Sequence, residues 1–223
     1  MLRDCRVGVG VDLIEFAEIV AESCSGHRPK TLTFLSKENT MKMETLQELY
    51  VEQLRDIYDA ENQLMKALPK MAKEATNEEL KAAFEHHLEQ TEEQISRLER
   101  VFEELGEKPK GHKCKAMLGL IEEGKELMGE DADEDVMDAG LICAAQKIEH
   151  YEIATYGCLR TYAEMLGFDE QADLLQETLD EEKDTDENLT ELAVSCINLE
   201  AEEGEESEDE EEEEKTPARG RAK

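Results

Sequence analysis

The sequence predicts an all-α protein, and three observations lead there. Its 223 residues are rich in Leu, Ala, Glu and Lys, with 4% aromatics, no Trp and only 4 Pro, a composition that favours helix over sheet. From Met43 to about Glu200 the apolar residues recur every three or four positions in long runs. Those runs stop at Gly106, Gly129 and Gly167, residues suited to helix C-termini. A chain of this length buries one good core, so one helical domain with appendages is expected.

The elements follow in order. A first long helix runs from about Glu44 into the Met71–Ala75 region, with Pro69 kinking or shortening its end. Its stripe is Leu46, Leu49, Tyr50, Leu54, Ile57, Glu61, Leu64 and Leu68. Thr76 followed by Glu79 reads as a capping box that opens a second helix, whose inward residues are Leu80, Phe84, His87, Leu88, Thr91, Ile95, Leu98 and Phe102. A turn at 108–111 leads into a shorter helix over 114–128. A third long helix spans about Asp133 to Leu166 and turns Leu141, Ala145, Ile148, Glu152, Tyr156, Leu159 and Ala163 inward. The fourth begins near Asp169 and presents Leu174, Thr178, Glu181, Thr185, Leu189, Leu192 and Cys196. Two antiparallel hairpins joined by a crossing segment make a four-helix bundle with an extra helix between its halves.

Composition divides the chain into three parts. Residues 1–42 carry glycines and β-branched residues without the later periodicity, and are expected to be an arm or a segment upstream of a start at Met43. Residues 43–200 are the bundle, and residues 201–223 an acidic, disordered tail ending in a short basic scrap. The net charge of -33 repels phosphate backbones and anionic lipid, so neither nucleic acid nor a membrane is an expected partner. Asp12, Glu15 and Glu18 interrupt the only apolar run near the N-terminus, and the cysteines lack CxxC spacing, which together favour a reducing cytoplasm.

Several polar residues stand where the stripes should be apolar. At roughly 100° per residue, Glu61, His87, Glu152 and Glu181 fall inward, with Glu149 one turn before Glu152 and Asp184 beside Glu181. A buried carboxylate is costly unless something positive neutralises it. Oxygen ligands with one imidazole suit two ions of iron or manganese, with Gln90, Asp184 and Thr185 available to orient the ligands. Singly, each carboxylate is as readily a solvated boundary residue, and His87 a hydrogen-bonded core histidine. A rotated second helix would instead present Glu89 and Glu92, at the expense of its apolar face. His87, Gln90, Thr91 and Gln94 match Glu181, Asp184, Thr185 and Asn188 in spacing, as a duplicated hairpin would.

The strings DIYDAENQL, AFEHHLEQTEEQISRLERVF, KCKAMLGLIEEG, AAQKIEHYEIATYG and LLQETLDEEKDTDENLTELA, in this order, resemble the YciE/YciF group of ferritin-like proteins over Met43 to Asn198. That resemblance implies a ferritin-like bundle, a dimer, a link to stress responses, and a di-iron centre at Glu61, Glu149, Glu152 and Glu181. It departs from the common layout at Phe84, three residues before His87, where an ExxH motif would place a carboxylate. The expected function is a cytoplasmic stress protein oxidising Fe(II) with O2 or H2O2, or reducing peroxide. The alternative is a non-enzymatic dimeric interaction protein with structural metal or none. The opening VGVGVDLIEFAEI separately resembles the start of phosphopantetheinyl transferases, where Asp12 would bind magnesium, but the downstream Glu and Lys motif is absent.

Overall fold

The computed structural model describes residues 43–110 and 112–202. The expectations for 1–42, Asp12 included, and for all but the start of the acidic tail lie outside them. Among the described residues every regular element is helical: α1 (Leu46–Glu74), α2 (Glu78–Leu105), α3 (Lys115–Leu127), α4 (Glu134–Leu166) and α5 (Asp169–Leu192), the last running into a π-helical turn at Ala193–Ile197. The four long helices pack as α1 on α2, α4 on α5, α1 on α4 and α2 on α5, while α3 lies across α1 and α4. This is the ferritin-like four-helix bundle with an added helix.

Local chemistry sets where each helix begins. Thr45 caps α1, accepting from the Glu48 amide at 3.2 Å while the Glu48 carboxylate takes the Thr45 amide at 2.9 Å. The capping box thus sits at α1. Asn77, not Thr76, caps α2, its side chain accepting from the amides of Glu79 and Leu80. Thr76 is drawn elsewhere: the buried Asp138 carboxylate on α4 accepts from its amide, its hydroxyl and the Asn77 amide at 2.7–3.0 Å. Acidic residues fill the first turns of α1, α2, α4 and α5, where the positive helix end favours them. Gly106 and Gly167 close α2 and α4 with φ of 67° and 76°, the left-handed conformation that glycine adopts without strain.

Pro69 does not shorten α1, which continues through it to Glu74. The core is a continuous apolar column that includes Leu54, Ile57 and Leu64 from α1, Phe84 and Leu98 from α2, Leu141 and Leu159 from α4, and Leu175 and Leu189 from α5. On α5 Thr178 and Leu189 are buried as expected, but Leu175, Leu179 and Glu182 are buried in place of the expected Leu174 and Glu181, and those two are half-buried. None of the described helices is long and apolar enough to cross a membrane.

Candidate metal centre

Midway along the bundle the column turns polar. Glu61 on α1, His87 on α2, Glu149 and Glu152 on α4, and Glu182 on α5 are each 2% exposed or less. They are placed by the same periodicity that places the leucines. Glu61 lies one turn from Ile57 and Leu64, and Glu152 one turn from Ile148 and Tyr156, so packing those residues carries the carboxylates inward. Glu149 and Glu152 share a face because they are three residues apart.

His87, Glu149, Glu152 and Glu182 each offer a ligand atom, and these atoms lie within 4.8 Å of one another, so the group could hold a metal ion. His87 Nε2 is 3.3 Å from Glu149 Oε1 and 3.8 Å from Glu182 Oε2. Glu61 closes the far side, accepting a 2.5 Å hydrogen bond from the Tyr156 hydroxyl. Tyr156 is therefore a packing residue with a polar end in the site, a role its position on the stripe did not disclose.

The Thr185 hydroxyl donates to the Glu181 carbonyl at 3.0 Å and stands 3.4 Å from His87 Nδ1, an arrangement that favours the hydrogen on Nδ1 and leaves Nε2 facing the carboxyls. Burial holds the imidazole neutral, its pKa pushed down to about 4. Seven buried atoms here lack a well-formed hydrogen bond, namely His87 Nε2, one oxygen each of Glu61 and Glu149, and both oxygens of Glu152 and Glu182, while the carboxyls interact among themselves as the pairs Glu61–Glu152 and Glu149–Glu182. Burial, and then repulsion from Glu182, raises the carboxyl pKa of Glu61 and Glu149; for Glu152 the repulsion comes first from Glu61. Glu182 is pushed up to about 7, mainly by burial.

Two expected site residues stand elsewhere. Glu181 leaves the centre for a paired interaction with the Arg97 guanidinium, two contacts of 2.6 Å, and Asp184 is exposed. Glu182 takes the inward place. The signal for it was present: Ala172, Leu175, Leu179 and Glu182 follow a 3-4-3 spacing, but adjacent leucines at 174 and 175 let either of two stripes be drawn. The duplicated-hairpin match accordingly slips by one on α5, pairing His87 with Glu182. Glu89 and Glu92 are exposed, so the rotated form of α2 does not occur.

A long-helix bundle whose four helices each turn a carboxylate or imidazole into one buried cluster defines a class, the ferritin-like bundles with an interior site. Within it, the chain belongs to the family described as Domain of unknown function (DUF892), which matches residues 45–202. It is 50% identical to protein YciF of Escherichia coli strain K12 over 163 residues, 73% of this chain and 98% of YciF. The crystal structure of the E. coli stress protein YciF superposes with a TM-score of 0.68 at 50% identity, covering 70% of this chain and 99% of that one. YcfI of Rhodopseudomonas palustris gives 0.66 at 47% identity, covering 68% and 96%. A protein of Xanthomonas campestris pv. campestris gives 0.54 at 27% identity, covering 71% and 99%.

Proposed function

We propose that this chain is a stress-associated oxidoreductase that holds two iron ions, or iron and manganese, among Glu61, His87, Glu149, Glu152 and Glu182. The observation that carries this reading is the gathering of four buried carboxyls and one imidazole whose ligand atoms face one another, seven of those atoms lacking a well-formed hydrogen bond. Cations supply what that arrangement lacks. Four carboxylates balance the charge of two dications, and oxygen donors with one imidazole suit iron or manganese better than softer metals. When bound, such a pair supplies one-electron chemistry with dioxygen or peroxide. The chain's own part is to exclude water, to hold His87 in its Nδ1–H form through Thr185, and to fix Glu61 through Tyr156.

Fe(II) oxidation or peroxide reduction is the reaction we assign, in a homodimer in the cytoplasm. The similarity to the E. coli stress protein supports the physiological side of this reading. Phe84 occupies the place of a further carboxylate on α2, which leaves the centre one ligand short of the common layout.

The competing reading is an interaction protein whose inner carboxyls are simply protonated. Anaerobic loading with Fe(II), followed by metal analysis and by absorption as oxygen is admitted, separates the two. Near two irons per chain with an oxygen-dependent ferric absorption is the expected result. No iron uptake and no optical change would leave the bundle as a scaffold.

A further inference from the structure

A cavity of about 270 Å³ opens between α2 and α5 on the His87 side of the centre. Its outer residues Glu79, Ala82, His86 and Asn188 are exposed, while Phe84, His87, Glu149 and Leu189 at its inner end are buried. The cavities beside α3 reach none of the five inward polar groups. Helical spacing orders the α2 wall. Glu79, Ala83 and His87 stand one turn apart on one face, so Ala83 lies midway between the rim and the centre.

The groups along this cavity suit a cation from end to end. None of the lining residues is Lys or Arg. A carboxyl stands at each end, Glu79 at the rim and Glu149 inside, and the side-chain oxygens of Gln90, Thr185 and Asn188 line the walls. At the inner end, His87 Nε2 and one oxygen of Glu149 lack a well-formed hydrogen bond, and both are atoms that ligate metals. The net charge of -33 draws dications toward such an opening. Space suffices as well, since six waters around a dication take up roughly 180 Å³ at about 30 Å³ each. Ala83, Phe84 and Leu189 offer no ligand, so a hydrated ion is passed inward there and not held. We propose that this cavity is the entry path of the divalent metal, leading from Glu79 past Ala83 to His87 and Glu149, where water is exchanged for protein ligands. This inference rests on the metal centre proposed above, and it adds the side from which that centre fills.

The test mixes the metal-free full chain with Co(II) in a stopped-flow cell, follows the visible absorption as the ion takes up protein ligands, and then measures release into excess EDTA. Cobalt per chain is determined at the end of uptake. A side chain that obstructs a path slows entry and release by the same factor and leaves the affinity unchanged, whereas damage to the ligands changes the affinity. In Ala83→Phe both rates are expected to fall by about tenfold or more, with cobalt content retained. Ala82→Phe, on the exposed rim, takes its place if Ala83→Phe does not fold. Glu79→Gln is expected to slow uptake at low salt and to lose that difference at about 1 M salt, where the rim charge is screened. Unchanged rates in the filled variants at full cobalt content, or slower uptake accompanied by lost affinity, would overturn the path while leaving the bound cobalt as support for the centre. Failure of the unaltered chain to take up cobalt would overturn both.

Discussion

Glu181 and Glu182 are neighbours in opposite settings, so they separate the proposed metal binding from packing at the level of one residue. Glu182 is fully buried beside Glu149 and His87, whereas Glu181 is engaged by Arg97, with Gln94 and Thr178 nearby. Glu182→Ala is expected to reduce bound iron to one ion or none, measured by metal analysis after anaerobic loading. Glu181→Ala is expected to keep the iron and lose about 1 to 2 kcal/mol of stability, since a charge-assisted pair at the edge of the core is removed. The reverse pattern in these two variants would return the site to Glu181. His87, Glu61, Glu149 and Glu152 were legible as inward positions because strong leucine and isoleucine spacings fix the faces of α1, α2 and α4. On α5, polar residues outnumber apolar ones so heavily that a one-residue shift leaves a comparable stripe, and geometry alone chose between them.

Among the elements, the turn between α1 and α2 depends on a side chain from α4. Asp138 accepts three hydrogen bonds from Thr76 and Asn77, and a charged acceptor of this kind is worth about 2 kcal/mol net. Asp138→Ala is expected to lower stability by about that amount in urea unfolding, with iron stoichiometry unchanged. The helix limits were readable because Gly106 and Gly167 supply the closing conformation and Asp133 the opening cap. The cap of α2 was not. Thr76 and Glu79 have the spacing of a capping box, as do Thr45 and Glu48, and what distinguishes them is Asp138, a partner distant in sequence that removes Thr76 from competition. Long-range competition of this sort leaves no local pattern.

At the scale of the whole molecule, charge and proton binding make the stability depend on pH and salt. The buried carboxyls of Glu61, Glu149 and Glu152 are raised well above their ordinary range, and Glu182 to about 7, all chiefly by burial. The metal-free bundle therefore holds protons that the unfolded chain has already released, and its stability falls as pH rises. His87 acts in the opposite sense, since its pKa is lowered to about 4, but only below the ordinary histidine range of about 6.5, where the unfolded chain gains a proton that the native state refuses. From pH 6.5 up to about 7, where Glu182 gives up its proton, the carboxyls act alone, and each proton retained gives a slope of about 1.4 kcal/mol per pH unit. Chemical denaturation of the metal-free chain is expected to show that decline, and metal loading to remove it, because bound cations replace the protons. A flat profile in the metal-free chain would mean that the carboxylates reach solvent. Independently, a net charge of -33 should make the thermal midpoint rise with sodium chloride up to about 1 M, as screening relieves self-repulsion.

The hold of Asp138 on the α1–α2 turn also bears on how the molecule comes together. The first hairpin reaches residue 105 with its turn amides unanswered, because their acceptor lies some sixty residues further along the chain. A hairpin made alone would fray at that turn, and completing it requires the second hairpin to have docked. The same docking first brings Glu149, Glu152 and Glu182 to Glu61 and His87, so turn closure and the gathering of the ligands are one cooperative event. A truncated chain ending after α2 would thus forfeit an ordered turn as well as three of the five inward polar groups, and a nascent chain could not assemble the cluster until synthesis had passed α5.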